Sequence, residues 1–469
     1  MLHLAWLALV PLVDPQGADA KADPLDAMVA EAERDAREGR YDKARAAYLA
    51  LARKHPGTPQ GLLGEKRSRP SAYLGWAPIK ESGPSANRVD IVFMGDGFEW
   101  ESLKAFDKLA EDAAMVLARD EVVREYANYF NFSRAALVSA ENGVDGYGRD
   151  YDTPLGAKTL GTFAGHVGID QAKVREVLGQ MPEHDGQAIV FVRNGVLGTG
   201  GGGVAVIGGR EMDTMVHEFG HSFGGLHDEY QTQTGHGGGG GVPNSLNVAS
   251  LADPRLVPWA HWIAAKHPQV GVHEGAASRV KGAWRPTASG CIMDSAESFC
   301  VVCREALVLR IHEFVDPIDS CSPEPQAQRV KVPYQVGPEG FVATVQAMRP
   351  ARHQLEVEWY LLPERHFART GDGPSVRDDD GGAPARGRER KGRALADLHA
   401  QPVATSRGKP DGLHKHVVQR KDLEPGVWRL VCRVKDGTLL RGEKFPWVLK
   451  DADSLLASER GWWIEVPPR

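Results

Sequence analysis

Residues 215–230, MVHEFGHSFGGLHDEY, constrain what this chain can fold into more than any other stretch. His217 and His221 stand four positions apart, a spacing that puts both imidazoles on one face of a helix, with Glu218 beside the first. Val216, Phe219, Gly220 and Phe223 fall on the opposite face and need a packed domain to bury them. Two neutral imidazoles so arranged can share a zinc ion, and a catalytic zinc takes three protein ligands while keeping one position open. A carboxylate in the place of Glu218 suits a general base acting on a water molecule. The segment therefore asks for a helix with an apolar back, a metal at its front and a third ligand from further along the chain.

Gly224-Gly225 ends that helix three residues after His221 and lets the chain turn back. Two third ligands follow, His227 and Asp228. HEFGHSFGGLH satisfies the count HExxHxxGxxH with His227, and Asp228 is the alternative. Gly290-Cys291-Ile292-Met293 is a candidate Met-turn beneath the metal, although Met293 by itself reads equally as a core methionine. Tyr230 is a candidate oxyanion donor, or a core tyrosine with a bonded hydroxyl. Gly203, Val204, Ala205, Val206 and Ile207 are a candidate edge strand for pairing with a substrate backbone, or an interior strand fed by a glycine loop. His236, His261, His273 and His312 read as surface or structural.

The 469 residues, 42% hydrophobic and 25% charged, fit a globular chain of several units. A net charge of −6 offers no global positive field, which argues against nucleic acid as a partner. Leu4–Val13 is a short apolar run followed by Ala18-Asp19-Ala20, so residues 1–20 read as a signal peptide, though its start lacks Lys or Arg. No stretch is long and apolar enough for a membrane span, and a secreted or periplasmic chain is expected. Of the five cysteines, Cys291, Cys300, Cys303 and Cys321 cluster and Cys432 stands apart. With one CxxC only, a zinc ribbon is a weak reading, and one or two disulfides are the default for an exported protein.

Residues 21–56 read as a helical hairpin like a single tetratricopeptide unit, and 57–86, rich in Gly, Pro and Ser, as a linker. Val89–Met94, Glu101–Arg119 and Ala188–Val192 alternate strand, helix and strand, which suggests an α/β layer arrangement. From 328 to 469 the texture is β-type: Val330–Val336, Phe341–Val345, Leu355–Tyr360, Val427–Val434 and Phe445–Leu449 are expected strands of a β-sandwich. A charged insertion at about 367–412 interrupts them and reads as disordered, with a polyanion-binding patch as the lesser alternative.

Several blocks in one order resemble the IgA-peptidase-type zinc metallopeptidases, relatives of the metzincins. They are VDIVFMGDGF at Val89, YFNFSRAALVSAENGVD at Tyr129, GTGGGGVAVIGG at Gly198, HEFGHSFGGLHDEY at His217, EGAASRVKGAWRPTASGCIM at Glu274 and FCVVCREAL at Phe299. The resemblance implies a zincin-like α/β (α+β) catalytic domain over 87–322, one catalytic Zn2+ held by His217 and His221, and Glu218 as base. Its GLxDEY pattern implies Asp228 as third ligand, with His227 on a variable place. The implied activity is that of an endopeptidase acting on proteins or peptides; the alternative is a silent glycan- or protein-binding protein on the same scaffold.

Overall fold

The computed structural model describes residues 23–160, 166–195, 197–209, 212–232, 241–242, 245–326, 330–365 and 401–468. The expected signal peptide, His236, most of the Gly237–Gly241 tract and residues 367–400 of the charged insertion lie outside the described residues. The chain divides into two compact units, one up to Arg69 and one from Pro70 onward.

In the unit up to Arg69, α1 (Pro24–Arg37) starts behind Asp23, whose carboxylate caps the Leu25 N–H, and α2 (Tyr41–Lys54) follows a short turn. A third helix, α3 (Pro59–Arg67), occupies what the sequence presents as linker. Its start signals are local: Thr58 caps the Gly61 N–H and Pro59 takes the first turn. Arg67 then ties α3 to the hairpin, donating to the Tyr48 hydroxyl at 2.7 Å and to Glu33 at 2.8 Å.

The second unit opens with β1 (Ala72–Lys80), also inside the expected linker, so residues 57–86 are mostly regular structure and the linker is corrected. β2 (Val89–Asp96), β3 (Phe130–Val138), β6 (Gln187–Val192), β7 (Thr199–Gly201) and β8 (Val204–Gly208) join it in a six-stranded sheet ordered β1-β3-β2-β6-β8-β7. The strands β3, β2, β6 and β8 are parallel, and β1 and β7 run antiparallel at the two ends. A small ladder of β4 (Lys158–Thr159) and β5 (Val167–Gly168) lies between β3 and β6 in the chain.

Burial on both faces explains the continuous apolar reading of the central strands. Ile91, Phe93, Ile189, Phe191 and Ile207 face one core with α4 (Leu103–Leu117), α7 (Met212–Ser222) and α9 (Val301–Phe314). Val92, Met94, Val190, Val192 and Val206 face the other, against α6 (Gln171–Leu178). The short α5 (Glu121–Glu125) and α8 (Ala260–Ala264) and the hairpin of β9 (His273–Ala276) and β10 (Arg279–Arg285) complete this half.

Beyond it, β11 (Ile318–Ser322), β13 (Phe341–Ala347) and β16 (Leu413–Val418) form a three-stranded sheet. A five-stranded sheet is ordered β12-β18-β17-β14-β15, from β12 (Tyr334–Gln335), β14 (Glu356–Pro363), β15 (Ala404–Arg407), β17 (Gly426–Lys435) and β18 (Ala457–Val466). Trp359 of β14 stacks on His416 of β16 with ring centroids 5.2 Å apart, bringing the two sheets into contact. Phe445–Leu449, expected as a strand, is irregular, and β18 takes the place beside β17 although Glu459, Arg460 and Gly461 break its apolar alternation.

Among the described residues one apolar core runs from Phe93 and Phe219 through Trp359 and Trp462, so the expected catalytic and β-rich halves form one compact unit. A buried ion cluster crosses the same junction. His353 lies 2.8 Å from Glu125 through Nδ1 and 2.7 Å from Asp436 through Nε2, so both ring nitrogens donate and the imidazole is charged. Arg352 adds a 2.6 Å bond to Glu125, and His312 packs beside Asp436 at 3.4 Å. All five cysteines are unpaired, which corrects the expectation of disulfides.

Candidate metal centre

Helix α7 buries Met215 and Phe219 against the sheet and leaves His217, Glu218 and His221 on its other side, as the four-residue spacing requires. Each imidazole is oriented through its Nδ1. His217 Nδ1 donates to the Ile292 carbonyl at 2.9 Å and His221 Nδ1 to the Leu226 carbonyl at 2.7 Å. A carbonyl can only accept, so the Nδ1 atoms carry the protons and both Nε2 lone pairs are left for a metal.

Asp228 supplies the third donor. Its Oδ1 lies 3.2 Å from His217 Nε2 and 3.1 Å from His221 Nε2, and the two Nε2 atoms are 3.0 Å apart. Ligands about 2.0–2.1 Å from a tetrahedral zinc stand about 3.3–3.4 Å from one another, so this donor set fits such an ion closely.

The turn after Gly225, which has φ +63°, selects Asp228 over His227. Asn247, fully buried, accepts from the His227 N–H at 3.0 Å and donates to its carbonyl at 2.7 Å. This clamp fixes the backbone at 227 so that the next side chain joins the histidines, and the His227 imidazole is not in the donor group. Nothing in the sequence marks Asn247, because the His227 backbone that it holds lies twenty residues away.

Glu218 is nearly buried, and its Oε2 has no hydrogen-bond partner among the described residues. Burial, opposed by His221 and His217, raises its carboxyl above the ordinary range. Strand β7 crosses directly over this part of α7. A β-carbon on Gly200 would lie 2.5 Å from the Glu218 carbonyl oxygen and 2.8 Å from His221 Cβ, so only glycine allows the approach. Gly203–Ile207, read as a candidate edge strand, corresponds to β8, which is paired on one side with β6 and on the other with β7. That reading is corrected: the terminal strand is β7.

Met293 is fully buried beneath α7, and its carbonyl accepts the Glu229 N–H at 2.7 Å. The Tyr230 ring stacks on His217 with centroids 6.3 Å apart, and burial together with Asp228 raises its hydroxyl pKa. The structure thus gathers His217, Glu218, His221, Asp228, Tyr230 and Met293 around one helix.

An orphaned buried carboxylate oxygen beside three converging nitrogen and oxygen donors is the arrangement of a metal-dependent hydrolase. Residues 77–269 match the family model described as IgA Peptidase M64, so this stretch of the chain is similar to the IgA-peptidase-type metallopeptidases. The match takes in α7 and Asp228 and stops short of Met293. No curated protein matches the chain.

Proposed function

We propose that this chain is an exported zinc-dependent endopeptidase, with a zincin-like core and a C-terminal β-sandwich, that uses Glu218 as its general base. The observation that carries the reading is the convergence of His217 Nε2, His221 Nε2 and Asp228 Oδ1 within 3.2 Å of one another beside the unpartnered Glu218 Oε2. A zinc ion held by those three residues would supply Lewis acidity, polarising a peptide carbonyl and making a water molecule more acidic.

The chain's own groups supply the rest. Glu218 Oε2 takes a proton from the attacking water and passes it to the leaving amine, and a raised carboxyl pKa brings it nearer to the task. The Tyr230 hydroxyl, beside His217, donates to the oxygen on which negative charge develops. An extended peptide adds to the sheet at β7, whose glycines keep the strand close to the base. Export is supported by the apolar run Leu4–Val13 and the small-residue site at Ala18-Asp19-Ala20.

Digestion of a peptide library by the purified protein, with and without a chelator, tests this reading. Chelator-sensitive cleavage that disappears in Glu218→Gln while zinc is retained supports it. Bound zinc without cleavage of any peptide would point instead to a binding protein on a metallopeptidase scaffold.

A further inference from the structure

A second group of metal-ligating side chains lies behind the site just described. Cys291, Cys300, Cys303 and Glu229 each offer one donor atom, and these four atoms lie within 4.8 Å of one another. We propose that they form a structural zinc site, distinct from the one on α7 and independent of whether the chain is a peptidase.

The distances suit a tetrahedral ion. Cys291 Sγ and Cys303 Sγ are 3.7 Å apart, where thiolates each about 2.3 Å from zinc would stand about 3.8 Å apart. A disulfide needs its sulfurs about 2.05 Å apart. Glu229 Oε1 is 2.9 Å from Cys303 Sγ and 3.8 Å from Cys300 Sγ.

Burial supplies the second argument. Glu229 is 0% exposed, its Oε2 has no hydrogen-bond partner, and no described cation forms a salt bridge with it. Among the described residues, apart from the thiols only the neutral Asn247 amide donates to it, at 3.0 Å. If it is ionised, a carboxylate in that setting needs a compensating positive charge, which a divalent cation provides. Cys300 stands at the N-cap position of the fourteen-residue α9 and Cys303 sits in its first turn, where helix N-terminal amides favour thiolates. Binding displaces the thiol protons to solvent as the sulfur–metal bonds form.

The site would also hold the neighbouring one in shape. Glu229 follows Asp228, and Cys291 precedes Ile292, whose carbonyl orients His217. The Glu229 N–H to Met293 carbonyl bond closes the two segments on each other.

The full chain, purified under reductant and loaded with zinc or cobalt(II), gives the test. The wild type should hold two ions per chain. His217→Ala/His221→Ala should drop to one ion and keep the thiolate-to-cobalt charge-transfer absorption. Cys300→Ser/Cys303→Ser should lose that absorption. A folded His217→Ala/His221→Ala variant that binds no metal would overturn the proposal. So would a disulfide among Cys291, Cys300 and Cys303 in the protein as isolated, read by peptide mass mapping without reductant. Because the histidine variant leaves every cysteine in place, a misfolded cysteine variant does not blunt the test.

Discussion

Gly220 on α7 faces Met293 so closely that a β-carbon there would lie 2.7 Å from the methionine sulfur and 2.9 Å from Phe299 Cε1. In an exposed helix Gly→Ala adds about 0.8–1.0 kcal/mol of stability. Here Met293 is fully buried and cannot swing away, so Gly220→Ala should destabilise by about 1–3 kcal/mol through overpacking. Because Ile292 orients His217, the same change should weaken metal binding. Urea unfolding with a parallel zinc titration measures both, and a stabilised variant with unchanged affinity contradicts the packing argument.

Asp228 and His227 should separate cleanly. Asp228→Ala removes one of the three converging donors and should lose bound zinc and activity, and His227→Ala should keep both, since Asn247 holds only the backbone at 227. Metal content by mass spectrometry decides between them. Zinc loss in His227→Ala alone would return the site to three histidines.

Truncation should be tolerated at one boundary and not at another. Removing residues 1–69 takes away a self-contained helical unit, and the remainder should stay folded. Removing 1–86 also takes β1, with buried Tyr73 and Leu74 and its whole ladder to β3. The longer deletion should melt at lower temperature or aggregate through the exposed β3 edge. Equal melting temperatures for the two would show that β1 contributes little.

The buried His353 cluster should give stability a defined pH window. Burial opposes the His353 charge, yet Asp436 and Glu125 overcome it and hold the imidazole at about 9. Its contribution is complete below the unfolded value of about 6.5 and is lost as pH rises through about 9. Burial likewise opposes the Glu125 charge, and His353 and Arg352 hold that carboxyl down at about 2. Its contribution is present above the ordinary 4.5 and is lost as pH falls towards 2. Between about 4.5 and 6.5 both are intact. His353→Gln should therefore cost about 3–5 kcal/mol near pH 6 and clearly less near pH 10, by denaturant titration at the two values. A pH-independent loss would mean that packing, not charge, holds the junction.

Helix α7 was legible because its signal is local. A four-residue spacing fixes which side chains share a helix face whatever the surroundings, so His217, Glu218 and His221 could be read as one group from the chain alone. The strands β2 and β6 were legible for a similar reason, since burial on both faces leaves an unbroken apolar run. Thr58-Pro59 was a readable start for α3, but the glycines around it favoured a linker, and contacts with Tyr48 and Glu33 decided otherwise.

The choice between His227 and Asp228 needed the fold. Both lie within one turn of the same loop, and what separates them is a clamp from Asn247, a residue brought in by chain folding. Strand order is likewise a property of the assembled sheet, so Gly203–Ile207 reads in sequence as either an edge or an interior strand, and only the sheet places β8 between two partners. Cys291, Cys300, Cys303 and Glu229 make the same point most sharply. Cys300 and Cys303 spell a single CxxC, but nothing in the spacing ties it to Cys291 in the preceding turn or to Glu229, which follows Asp228. Only tertiary packing brings the four donor atoms together and buries them.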